Sequence, residues 1–210
     1  MARSPRSQKK PPDRYHHGNL RRALLDEAVR TIQAHGVEQL TLRTAGERLG
    51  VSRTALYRHF ADKQALLAAV GREGFHMLRQ AISEAWEQNK RGRAGFDAMG
   101  TAYVQFAIGH PSHYRVMFGR FLESTAKDKD FEVEAKAAFQ VLVDALVDQQ
   151  KSGLVRRDDP ELMAQFIWAI VHGVAMLAID GQLGEGDEGG LALSRYAIGR
   201  IRAAIAATGR

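Results

Sequence analysis

Residues 41–63, TLRTAGERLGVSRTALYRHFADK, hold the densest run of side chains able to grip a polyanion. Guanidinium and hydroxyl groups spaced over two short helices suit phosphates and base edges rather than bond cleavage. Thr41 stands where the first helix needs an N-cap, and Arg43 lies in its first turn; both can hold phosphates. Arg53 and Thr54 open the second helix and can reach base edges, Arg53 taking a guanine O6/N7 edge in two hydrogen bonds. Ala55 can touch a thymine methyl. Arg58 can reach a base or a phosphate, and the sequence leaves that choice open.

Other patterns point to chemistry less well. His110-x-x-His113 could share a helix face, but Pro111 puts it at a helix terminus and no carboxylate cluster stands nearby, so no metal site is expected. Ser124-Thr-Ala-Lys127 matches S-x-x-K without the S-D-N and K-T-G motifs that should accompany it. G-x-S-x-G, H-E-x-x-H and the phosphate-binding P-loop are absent from the sequence. Asp128/Asp130 and Asp158/Asp159 read as solvated turns. Neither an enzyme nor a cofactor is expected.

The binding residues need a scaffold, and the local signals supply one. A helix over 42–49 ends at Gly50, where a left-handed residue is favoured. Ser52 caps a second helix over about 53–60. On it Leu56 and Phe60 share a buried face, while Arg53, Thr54, Tyr57 and Arg58 point away. This is a helix-turn-helix of the size that fits a major groove. Asn19 reads as the N-cap of a preceding helix, with Leu24, Leu25, Ala28, Val29 and Ile32 at helical spacing, ending near His35-Gly36.

The pattern LR-x-x-(small)-x-x-x-GVS-x-x-x-LYRHF-x-x-K resembles the DNA-binding domain of the TetR family of bacterial transcriptional regulators. The match is dense from Tyr15 to Leu67. One departure is Gly46, where the family usually has alanine; glycine there should cost the helix roughly 1 kcal/mol. The resemblance implies that Tyr57, His59 and Lys63 contact phosphates, with packing in the head and a helix cap as the alternatives for Tyr57 and His59. It also implies a double-stranded DNA operator, a homodimer through the last two helices and a small-molecule effector. Trp168-Ala-Ile-Val-His172-Gly173, with residues 15–21, YHHGNLR, resembles a branch of the family with a Trp-His-Gly motif.

Charge agrees with a polyanion-binding head. Residues 1–63 hold 13 Lys/Arg against 6 Asp/Glu, whereas residues 64–210 hold 17 against 18. The whole-chain excess of +6 therefore resides in the N-terminal third. Residues 1–13 read as a disordered basic arm able to lie along phosphates. Residues 14–62 form the DNA-binding domain and 63–210 an effector-binding and dimerisation domain. With no cysteine, there is no disulfide framework. No signal peptide and no uninterrupted apolar run of about 18 residues is seen, so a cytoplasmic protein without a membrane partner is expected.

The rest of the chain reads as helices: from Asp62 to about Lys90, then about 94–109, 111–119, 131–152, 160–181 and 190–207. Gly71 and Gly74 imply a kink or a close approach in the first of these. The helix after Pro160 is apolar on nearly all sides and should be surrounded. The fold class is all-α, a three-helix head on a body of roughly six helices. An effector pocket should be mostly apolar. Its candidate residues are Phe75, Trp86, Met99, Tyr103, Phe106, Met117, Phe118, Phe121, Phe139, Trp168 and His172, most of which have ordinary core packing as the alternative.

Overall fold

The computed structural model describes residues 20–121, 129–184 and 186–207. The N-terminal arm, the Asn19 cap, most of the Tyr15–Arg21 motif and the Ser124–Lys127 pattern lie outside the described residues. Among those described, nine helices form and no strand does, apart from an isolated bridge between Val155 and Ala206. They are α1 (Leu20–His35), α2 (Leu42–Leu49), α3 (Arg53–Tyr57), α4 (Lys63–Gln88), α5 (Gly92–Gly109), α6 (Pro111–Phe118), α7 (Lys129–Lys151), α8 (Pro160–Ile179) and α9 (Glu188–Ile205). The all-α expectation, with three helices in the head and six in the body, matches this order.

Local signals set the head. Thr41 and Thr44 close a reciprocal cap on α2: Thr41 Oγ1 accepts the Thr44 N–H at 3.0 Å, and Thr44 Oγ1 accepts the Thr41 N–H at 3.3 Å. Gly50, at φ 65°, ends α2 in the left-handed conformation that glycine adopts freely. Ser52 Oγ accepts the Ala55 N–H to start α3. α3 is shorter than expected. After Tyr57 the His59 and Phe60 N–H groups both return to the Leu56 carbonyl, at 2.9 and 3.1 Å, and the chain turns so that Asp62 can cap α4. Leu56 and Phe60 still bury together.

Leu24, Leu25, Ala28 and Ile32 of α1 pack with Leu42, Ala45, Leu56 and Phe60 in the head core. Leu66, Leu67 and Val70 of α4 and Val116 of α6 complete it. α4 thus serves two cores, since Phe75, Leu78, Ile82 and Trp86 further along it belong to the body. The glycines of α4 are sites of close approach within a continuous helix. A Cβ on Gly71 would stand 2.5 Å from Phe131 Cε2, and one on Gly74 2.5 Å from Met117 Sδ.

α8 departs from its expected surroundings. Met163, Ile167, Val171 and Val174 are buried, but Leu162 is 64% exposed and Phe166 49%, with Leu177 also exposed. The helix is long and apolar enough to cross a membrane by composition alone, with 33% of that window buried. Glu161, Gln165 and His172 are the polar side chains that interrupt it. An apolar stripe therefore faces outward: Leu162, Phe166, Ala169, Gly173 and Leu177, at helical spacing.

Candidate nucleic-acid interface and ligand cleft

Most of the head residues singled out from the sequence are exposed. Thr41, Arg43, Arg53, Thr54, Tyr57 and Arg58 are exposed, Tyr57 at 51%, while Ala55, His59 and Lys63 are half-buried. A tyrosine ring half in water has given up part of its hydrophobic stabilisation, as a contact surface requires. Arg43 pairs with Glu47 at 2.8 Å along the face of α2. Lys63 donates to the Glu38 carbonyl at 3.1 Å and so ties the start of α4 to the α1–α2 connection. The Arg21 guanidinium lies 5.2 Å from the centre of the Phe60 ring, joining α1 to the end of the turn after α3.

A buried acid, unremarked in the sequence, sets how α2 sits on α1. Glu27 Oε1 accepts from Arg48 Nη1 at 3.1 Å, and Glu27 Oε2 pairs with Arg30 at 3.0 Å. Arg48 also donates to Thr31 Oγ1 at 3.2 Å. The α1 periodicity places Glu27 next to Ala28 on the inward side, which is the signal that could have flagged it.

The body holds a partly open cleft of about 560 Å³ between α4, α5, α7 and α8. Phe75, Tyr103, Phe118, Phe139 and Trp168, all named from sequence, line it. Met99 lines a smaller neighbouring cavity of about 40 Å³, which Tyr103 also borders. Four candidates stand elsewhere. Trp86 covers Gly95, Met117 fills the notch at Gly74, Phe106 packs beside the His110 ring, and Phe121 lies against the head core. Each sits on a helix face turned from the cleft or on another packing seam, which helical spacing alone does not distinguish. His110 and His113 meet edge to face with centroids 6.0 Å apart.

Behind the cleft wall runs a chain of polar side chains. Trp168 Nε1–H donates to the Tyr103 hydroxyl at 3.0 Å, the Tyr103 and Tyr114 hydroxyls are 2.8 Å apart, and Tyr114 Oη lies 2.7 Å from His172 Nδ1. His172 also packs against Phe118, with centroids 4.7 Å apart. Burial pushes the Tyr103 hydroxyl up to about 12 and raises Tyr114 as well, while it lowers His172. The whole set is uncharged at neutral pH. Tyr114 had no sequence signal, because its link to His172 spans 58 positions.

A capped two-helix reader with a basic, exposed second helix, set on a helical body with a cleft, defines a helix-turn-helix regulator class. Residues 24–70 match the family model described as bacterial regulatory proteins, tetR family, and residues 96–200 match the tetracyclin repressor-like C-terminal domain. The chain belongs to the TetR family. It is 38% identical over 66 residues to the HTH-type transcriptional repressor AcnR of Corynebacterium efficiens, a match covering 31% of this chain and 35% of that protein. It is 40% identical over 68 residues to the HTH-type transcriptional repressor Rv1474c of Mycobacterium tuberculosis, covering 32% and 36%. The matches thus span about a third of these curated relatives. A solved structure of a protein of unknown function from Rhodococcus sp. RHA1 superposes with a TM-score of 0.82 at 32% identity, covering 93% of this chain and all of that one.

Proposed function

We propose that this protein is a homodimeric, sequence-specific transcriptional repressor that a small molecule releases from a palindromic operator. The observation that carries the reading is the exposed face of α2 and α3, where Arg53, Thr54, Tyr57 and Arg58 stand clear of the head core. Arg53 and Thr54 read base edges from the N-terminal end of α3, and Ala55 meets a thymine methyl. Thr41, Arg43, Tyr57, His59 and Lys63 hold phosphates, and Arg58 serves either purpose. The repressor sense is supported by the two curated relatives that match across the head, both named as transcriptional repressors.

Dimerisation runs through α8 and α9. The stripe of Leu162, Phe166, Ala169, Gly173 and Leu177 lies near a matching one on α9, Ala192, Tyr196, Gly199 and Ala203, with Tyr196 66% exposed. A Cβ on Gly173 or Gly199 would meet nothing within 4 Å in the single chain. Two copies can bury these stripes, and the small residues let the helices approach closely. The dimer sets two heads on half-sites about one helical turn apart. The effector occupies the cleft, and release requires it to bind more tightly to a geometry in which the heads no longer match both half-sites.

The test is a fluorescence-anisotropy titration at near-physiological salt, comparing a palindrome selected from random DNA with a scrambled control. A preference of about a thousandfold or more is expected. Equal, steeply salt-dependent binding to both would point to an architectural DNA binder instead.

A further inference from the structure

The hydrogen-bond chain behind the cleft constrains what the cleft can accept. Burial keeps His172 neutral at pH 7, so one ring nitrogen accepts and the other carries the proton. Both tyrosine hydroxyls approach Nδ1, at 2.7 Å from Tyr114 and 3.4 Å from Tyr103, so the ring tautomer sets the direction of the whole chain. The Trp168 N–H goes to Tyr103 Oη; with the ring proton on Nε2, the Tyr114 proton goes to Nδ1 and the Tyr103 proton goes to Tyr114 Oη. In that tautomer the Trp168, Tyr103 and Tyr114 donors are all committed. What is left is one lone pair on Tyr103 Oη, an acceptor without a donor.

The walls narrow the class further. Phe75, Phe118, Phe139 and Trp168 supply rings, with Leu78, Ile82, Leu142 and Val171 between them. Tyr103 is buried, whereas Lys136, Gln140 and Glu161, the charged or amide side chains of the lining, are exposed. In that tautomer a carboxylate placed against Tyr103 would find no free donor, and an ammonium there would find no counter-charge, so both would lose hydration without replacement. We propose that the cleft takes an uncharged, ring-bearing molecule with a hydroxyl, which donates its proton to Tyr103 Oη while its apolar body lies among the aromatic side chains. This rests on reading the cleft as the effector site.

Three probes of one shape separate the possibilities: 1-naphthol, 1-methoxynaphthalene and 1-naphthoate, titrated calorimetrically into the full chain. The naphthol should bind roughly three- to tenfold more tightly than the methyl ether, the worth of one ordinary hydrogen bond. The carboxylate should bind at least tenfold more weakly than the naphthol. Tyr103→Phe should bring the naphthol and the ether level, and Tyr114→Phe should keep the preference, because Tyr103 can then donate to His172 directly. Retention in Tyr114→Phe guards against a general loosening of the fold. An ether that equals or exceeds the naphthol would mean the chain runs the other way and would overturn the proposal. So would a preference for the carboxylate, or no naphthol binding up to its solubility. Operator affinity is measured with each probe in parallel. A Tyr103-dependent naphthol preference with unchanged operator affinity upholds the ligand chemistry and sinks the effector reading. Operator release by all three probes without discrimination does the reverse.

Discussion

A Cβ added to Gly46 would overlap Leu56 Cδ1 and stand 2.9 Å from its Cδ2, so the two helices of the reader meet with no room for a methyl group between them. The glycine that breaks the usual alanine pattern is thus matched by a leucine seated where the methyl would be. Gly46→Ala gains about 1 kcal/mol of helix propensity but forces Leu56, a buried side chain, out of its place. Overpacking costs about 1–3 kcal/mol. The substitution is expected to be neutral to destabilising by up to about 2 kcal/mol by urea unfolding. In a double-mutant cycle Leu56→Ala should make it favourable, with coupling well above the error of the cycle. A Gly46→Ala variant stabilised by the full propensity gain would show that Leu56 yields freely.

Glu27 fixes the angle between α1 and α2. Glu27→Ala removes the acceptor for Arg48 and Arg30 and leaves Thr31 with a single partner. Because both arginines are about half exposed, water recovers part of the loss, and a cost of about 1–2 kcal/mol is expected. Operator affinity should fall further than stability does, because α3 is carried by α2. A thermal melt and an anisotropy titration on the same preparation check both.

The head was legible in the sequence because its signals are local. Thr41, Gly50, Ser52 and Asp62 each act within a few residues, and each stands at the helix terminus that its type predicts. The ends of the body helices were legible in part from Pro111 and Pro160, which stand in the first turns of α6 and α8. The cleft was legible only in part. Phe75, Met99, Tyr103, Phe106 and Met117 all carry apolar mass at inward positions, and which of them borders empty space depends on packing between helices far apart in sequence. The outward stripe on α8 was hidden for a related reason: an apolar helix reads the same whether its own chain or a second copy covers it.

Arg53 and Lys63 should separate two kinds of contact. Arg53→Ala is expected to relax preference at one base pair, at about 1–3 kcal/mol for that base. Lys63→Ala should weaken binding on every sequence and reduce the salt slope by about one. Since Lys63 also holds the Glu38 carbonyl, its variant needs a melt beside the titration. Uniform loss from Arg53→Ala would place that side chain on the backbone.

Phe166→Glu puts a charge into the α8 stripe. In the single chain Phe166 is half exposed, so the protomer should lose little stability. Sedimentation velocity should show a shift from dimer to monomer, and operator binding should fall to that of one head on one half-site. A dimer that persists unchanged would move the interface elsewhere.

Acid should destabilise the body through two histidines. Burial lowers both His113 and His172 from the ordinary value of 6.5, so the unfolded chain binds protons more readily than the folded one over the interval below 6.5. Stability from this source is fully present above about 6.5 and is lost as pH falls from there through the lowered folded values. His113 faces this most directly, because its Nε2 is buried without a partner and protonation would leave a charge there. Urea unfolding at pH 7.5 and 5.5 should show a loss of stability in the parent that shrinks in His113→Phe. His172→Phe should shrink it also, but with a cost at pH 7.5, because Tyr114 then loses its hydrogen-bond partner at 2.7 Å. An unchanged acid loss in both variants would show that these two histidines do not carry the effect.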